Sequence, residues 1–278
     1  MKLCNIKVEG AVHLALSTPR GVIDASAAGF APDMDAVIAG ADTVQLEKLA
    51  VDESLPAVKE PEYANVVNRI GKIVCVGMNY REHAASIDLV SGEKPTLFSK
   101  YADTLVPTGA AVELPPWEES YDYEAELVIV IGKRAWGVSE EEAMSHVFGY
   151  TCGNDLSCRA PQKRTSQWLC GKTMPGFAPC GPFIVTADGF DPTAGKRIMS
   201  FVNGAQRQNG STADMIHTCA EIISYASHYM ALQPGDLIFT GTPSGVALEK
   251  NSKLPWLKPG DRVDVEIEDI GRLTNYMV

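Results

Sequence analysis

From residue 71 onward, short apolar runs alternate with Gly, Pro, Asp and Asn punctuation. The runs are 72-KIVCVGMNY-80, 96-TLFSKY-101, 111-AVELP-115, 126-ELVIVIG-132, 181-GPFIVT-186, 200-SFVNG-204, 236-DLIFTGT-242 and 262-RVDVEIED-269. Their length and β-branched content predict strands. Two stretches carry helical spacing instead. One is 139-SEEEAMSHVFGY-150, with Ser139 as N-cap and glutamates in its first turn; the other is 212-TADMIHTCAEIISYASHYM-230, ending before 233-QPGD-236. Strands outnumber helices and do not alternate regularly with them, which predicts a β-rich α+β fold rather than a βαβ array.

Residues 1–66 read as a small N-terminal domain. It has strands in 2-KLCNIKVEGAVHLALS-17, a turn at Glu9-Gly10, and short helical pieces at Val37-Ile38 and Val44–Leu49. The polar, proline-bearing 55-LPAVKEPEYANVV-67 reads as a linker, so the second domain is expected over 67–278.

The run that carries chemistry is 121-YDYEAELVIVIGKR-134. Alternation puts Asp122, Glu124, Glu126, Val128 and Val130 on one face and Tyr123, Ala125, Leu127 and Ile129 on the other. Glu124 and Glu126 then start roughly 6–7 Å apart at the backbone, with heads free to converge. Two like charges so placed repel, unless one keeps a proton or a cation lies between them. A solvated strand face and a cation site both remain open on this motif alone. Asp155, in 149-GYTCGNDLSCR-159, is either a turn aspartate or a third ligand. An all-oxygen set of two Glu and one Asp suits Mg²⁺, Mn²⁺ or Ca²⁺ rather than Zn²⁺.

Composition narrows the partners. The 278-residue chain is 45% hydrophobic and 21% charged, which is ordinary for a globular protein with a sizeable core. A net charge of −11 without a basic stretch argues against nucleic acid. No apolar run is long enough to cross a membrane, and 1-MKLCNIKVEG-10 lacks the apolar centre of a signal peptide. Seven cysteines without knuckle spacing read as free thiols in a reducing cytoplasm.

Taken together, 76-VGMNYREHA-84, 95-PTLFSK-100, 122-DYEAELVIVIG-132, 149-GYTCGNDLSCR-159, Lys172, 181-GP-182, 202-VNG-204, 235-GDLIFTGTPSGV-246 and 257-LKPGDRVDVEIEDIG-271 resemble the fumarylacetoacetate hydrolase family, over about residues 70–278. The resemblance implies a mixed, curled β-roll with a small N-terminal domain, in a homodimer. It implies a Mg²⁺ site, with Mn²⁺ or Ca²⁺ as alternatives, at Glu124, Glu126 and Asp155, catalytic roles for His83 and Lys172, and substrate contacts at Arg159, Gln162 and Thr242. For Thr242 a tight turn around Pro243 and Gly245 is an equal reading. It also implies a small 2-oxo acid as substrate. The leading expectation is hydrolysis of a C–C bond in a 2,4-dioxo acid through a metal-stabilised enolate; isomerisation, decarboxylation or non-catalytic ligand binding are the alternatives.

Two departures stand out. In 79-NYREH-83, His83 matches a lid histidine that in the family acts with a Glu three residues later, and that position is Ser86 here. Without a carboxylate, His83 lacks the group that orients it and stabilises its charged form; Glu82 and Asp88 are the local substitutes. Pro175-Gly176 replaces a common Asp-Thr pair after Lys172, and is expected near the substrate. Trp168, Met174 and Phe177 either line an apolar pocket or pack their loop down.

Overall fold

The computed structural model describes residues 1–40, 43–86, 92–250 and 252–278. Its spine is a nine-stranded mixed sheet in the order Gly21–Asp24, Ala11–Thr18, Lys2–Val8, Ile184–Thr186, Val147–Asn154, Ala125–Ile131, Leu237–Phe239, Ile73–Gly77, Thr96–Lys100. A five-stranded sheet, Ala205–Ser211, Arg197–Val202, Arg262–Ile267, Gly271–Met277, Ala111–Val112, packs beside it. This is the β-rich α+β architecture that the punctuation predicts. The N-terminal strands extend the main sheet, because Lys2–Val8 pairs antiparallel with Ile184–Thr186.

Ala125–Ile131 lies at the centre of the sheet and is buried at every residue. Its two faces feed different cores. Leu127, Ile129 and Ile131 pack toward Tyr150, Ile222 and Ile223, while Val128 and Val130 pack toward Leu14, Ile73 and Phe239. Each such side chain contributes roughly 1.5–3 kcal/mol relative to exposure. That burial fixes the strand's register, and with it the direction in which Glu124 and Glu126 project.

The helices are shorter than their periodicity suggests. Ser139 caps with a full capping box, but the helix covers only Glu140–Ala143 before a 3-10 turn and the Val147–Asn154 strand. The second helix starts at Cys219, where Thr218 forms its own capping box with Glu221, and runs to Tyr229. Thr212–Asp214 is instead a 3-10 turn. Local caps thus overrule a pattern that would run the helix further upstream. The Arg81–Ser86 helix carries His83; Asp88 and the segment after it fall outside the described residues until residue 92.

Candidate active site

A cavity of about 310 Å³ opens at the start of the central strand, and His83, Glu124, Glu126, Arg159, Lys172 and Thr242 line it. Its floor is set by the antiparallel pairing of Ala125–Ile131 with Val147–Asn154, which puts Asn154 opposite Ala125. Beyond that pair the two chains stay tied: Asp155 N donates to Glu124 O, and Glu124 N donates to Asn154 Oδ1. Carboxylate oxygens of Glu124, Glu126 and Asp155 consequently lie within 4.8 Å of one another, all three residues buried.

Three buried cations surround this cluster. Lys172 Nζ bridges Glu124 Oε2 and Asp155 Oδ2, each at 2.7 Å. Arg159 donates from its Nη2 to Glu124 Oε1 at 2.7 Å, from Nε to Asp122 Oδ2 at 2.9 Å, and from Nη1 to Gln162 Oε1 at 3.0 Å. Lys100 Nζ lies 2.7 Å from Asp155 Oδ1. Glu126 is held differently: its Oε2 accepts from Gly241 N at 2.7 Å.

These surroundings separate the carboxylates electrostatically. Burial alone raises Glu124, but Arg159 and then Lys172 outweigh it and hold it well below the usual carboxylate range. Glu126 moves the opposite way, because burial and the negative charges of Asp155 and Glu124 push it well above. Burial pulls Lys100 down against the attraction of Asp155. For Lys172 the attraction of Asp155 and Glu124 outweighs burial, and its ammonium is favoured.

The donors fit a hard divalent cation. All are oxygens, they converge, and Asp155 Oδ1 is buried without a hydrogen bond. Lys100 is an ion-pair neighbour of that oxygen, yet its hydrogen bonds run to the carbonyls of Leu156, Lys172 and Phe177. A buried carboxylate oxygen balanced only by an ion pair, beside two more carboxylates, suits a metal ligand.

At the other side of the cavity is His83, 5% exposed. Its Nδ1 faces Glu249 Oε1 at 3.6 Å, an ion-pair distance slightly too long for a hydrogen bond. Glu249 is fixed from behind, since Gly245 N donates to the same Oε1 at 2.7 Å. Gly245 sits at φ +111°, and an added Cβ would come within 2.2 Å of Arg207 O. That turn therefore needs glycine. Burial raises Glu249, but the adjacent His83 and the Gly245 amide leave it lowered overall. Ser86 Oγ donates to His83 O, and Lys250 N donates to Ser86 O, so the lid helix and the 245–250 turn are joined. Glu82, one local substitute for the missing lid carboxylate, is exposed.

All site residues named from the sequence line this cavity except Asp155, which is fully buried beside Glu124 and Glu126. Arg159 and Thr242, however, are already committed to protein partners. Thr242 Oγ1 donates to Ala125 O and accepts from the buried Gln208 Nε2. Trp168 lines the cavity and meets Phe98 edge-on at 5.4 Å. Gly77 makes room for it, since a Cβ there would lie 2.3 Å from the indole. Phe177 and Met174 belong to a core cluster. Pro175-Gly176 proves to be a turn, with Phe177 N donating to Met174 O, Gly176 at φ +78° and Val112 and Val106 as its nearest side chains. Neither residue lines the cavity.

Sequence reasoning missed Asp122, Lys100 and Glu249 as site residues. Asp122 was signalled by its place on the Glu124–Glu126 face. Lys100 carried only the weak signal of a charge ending the strand Thr96–Lys100. Glu249 had no local signal, because its partner is brought to it by the fold.

The fold and this site are those of the fumarylacetoacetate hydrolase family. Residues 72–278 match the family model described as "Fumarylacetoacetate (FAA) hydrolase C-terminal", and the chain belongs to that family. It is 36% identical over 277 residues to "Oxaloacetate tautomerase FAHD2A, mitochondrial" of Bos taurus, covering 96% of this chain and 87% of the relative. It is 40% identical over 258 residues to "2,4-didehydro-3-deoxy-L-rhamnonate hydrolase" of Sphingomonas sp. (strain SKA58), covering 90% and 89%. Among solved structures, fumarylpyruvate hydrolase from Pseudomonas aeruginosa, in complex with Mn²⁺ and pyruvate, superposes with a TM-score of 0.68 at 33% identity, over 75% of this chain and 90% of that one. Family members named as hydrolases, isomerases and tautomerases share the scaffold. Among the described residues, no helix is long and apolar enough to cross a membrane.

Proposed function

We propose that the protein is a divalent-metal-dependent hydrolase that cleaves a C–C bond in a 2,4-dioxo acid. The observation that carries this reading is the His83–Glu249 pair, set across one cavity from the Glu124–Glu126–Asp155 cluster. Glu249 supplies from a distant turn the carboxylate that Ser86 lacks, so His83 has the partner a water-activating base needs.

Glu124, Glu126 and Asp155 would hold Mg²⁺ or Mn²⁺, which when bound supplies Lewis acidity toward a carbonyl oxygen. With Nδ1–H directed at Glu249, His83 presents Nε2 as the acceptor. His83 Nε2 removes a proton from water, whose oxygen bonds to the C4 carbonyl carbon. The C3–C4 bond then breaks, its electron pair passes to C3 and the 2-oxo oxygen, and C3 receives the proton. The products are pyruvate and a carboxylic acid. Gln162, its Oε1 taken by Arg159, offers its amide N–H groups to the substrate carboxylate. Lys172 and Arg159 offset the carboxylate charge that would otherwise repel an anion.

The second reading is tautomerisation, favoured by the near full-length match to an oxaloacetate tautomerase. It needs the same base to move a proton at C3, with no attacking water. We further propose a homodimer in a reducing compartment; the described structure holds only free cysteines. The test is NMR of products from acetylpyruvate and oxaloacetate in separate Mn²⁺-loaded reactions, beside Glu124→Ala. Acetate and pyruvate from acetylpyruvate, lost in the variant, support hydrolysis. Faster keto–enol exchange of oxaloacetate without acetylpyruvate cleavage would replace that reading with the second.

A further inference from the structure

Lys100 ends the edge strand Thr96–Lys100, and its ammonium is completely buried. Buried lysines need partners, and this one is surrounded by them. Nζ donates to Leu156 O at 3.0 Å, Lys172 O at 2.6 Å and Phe177 O at 2.7 Å, with Asp155 Oδ1 at 2.7 Å. These acceptors come from separate segments. Leu156 directly follows Asp155, Lys172 ends the Leu169–Lys172 helix, and Phe177 follows the Pro175-Gly176 turn. The segment from 155 to 177 has only short regular pieces of its own. A single ammonium ties together its beginning, middle and end.

We propose that Lys100 is a positioning residue of the metal centre: its ammonium locks Asp155 and the Lys172 backbone into the geometry that receives the cation. Lys100 sits behind Asp155 relative to Lys172, which takes the other oxygen, Oδ2. Lys100 donates to three carbonyls, and its 2.7 Å ion pair fixes Asp155 Oδ1 by charge. The same three bonds hold the turn of chain from which Lys172 reaches Glu124. Outer groups of this kind set ligand orientation, and their loss commonly weakens metal binding by about 10–100-fold.

The inference rests on the metal reading of the triad, and the test separates the two. Mn²⁺ affinity is measured by EPR titration of the full chain for wild type, Lys100→Met and Lys100→Gln, at a temperature where circular dichroism shows each variant folded. The expected result is about tenfold or greater loss of Mn²⁺ affinity for Lys100→Met, with a smaller loss for Lys100→Gln, whose amide still serves some carbonyls. Should Lys100→Met not fold, Lys100→Gln alone decides. Lowered melting temperature with unchanged Mn²⁺ affinity would make Lys100 merely structural and overturn the proposal. Tighter binding would overturn it too, because Lys100 would then be acting only as a repelling charge. Wild type that binds no Mn²⁺ would overturn the metal reading and this proposal together.

Discussion

The two sides of the cavity are built by opposite strategies. The carboxylate floor comes from adjacent strands, in which Glu124, Glu126 and Asp155 are placed by backbone pairing and by packing on both sheet faces. The lid side comes from two segments that share no sheet: the Arg81–Ser86 helix and the 245–250 turn, joined by hydrogen bonds at Ser86. The floor is fixed in register by strand pairing. On the lid side the side-chain pairing is a 3.6 Å approach between His83 and Glu249. On the proposed reading, binding and proton transfer fall to these two differently built regions, and substitutions in each should fail in different ways.

The largest effect is expected on the floor. Glu126→Ala removes a proposed ligand, and should reduce kcat by at least about 10³-fold with loss of Mn²⁺ binding, read by activity and EPR. On the lid side, His83→Gln should lower kcat by about 10²–10⁴-fold while Mn²⁺ affinity stays within about twofold of wild type. Equal losses of metal binding in both variants would erase the distinction between the two sides.

A smaller effect follows from Glu126, whose pKa in the folded chain is raised by burial and by its anionic neighbours. Above the ordinary carboxylate range the unfolded chain has released this proton and the folded, metal-free chain still holds it. Stability from this group is therefore present at low pH and declines as pH rises toward the folded pKa. A metal must displace that proton, so Mn²⁺ binding should release protons and tighten with rising pH. Calorimetry in buffers of different ionisation enthalpy checks the release. The smallest effect is expected at Gly77→Ala, which crowds the Trp168 indole. Its signature is a severalfold rise in KM with kcat little changed, as for a change in uniform binding.

The same contrast explains what could be read from the sequence. Glu124 and Glu126 were legible because a two-residue period is a local property, and the central strand follows it. The β-rich class was legible from turn punctuation, although 205-AQRQNGS-211 escaped because its polar residues carry little strand signal. Asp155 and Lys172 needed the family resemblance, since only sheet pairing brings them to the glutamates. Glu249 was illegible: nothing in 246-VALEK-250 points to a histidine on the lid helix, and the Ser86 gap was visible without its remedy. The expectation that Pro175-Gly176 borders the substrate fails because the pair forms a turn beside Val106 and Val112.

The central claim is that Glu249 has taken over the work of the absent lid carboxylate. The direct measurement is the pH profile of kcat/KM for wild type, Glu249→Gln and the double variant Glu249→Gln/Ser86→Glu, all loaded with Mn²⁺. The account predicts about a 10–100-fold loss in the single variant across the profile, and recovery of rate when the carboxylate returns at position 86. A Glu249→Gln enzyme with wild-type rate and an unmoved profile would contradict it.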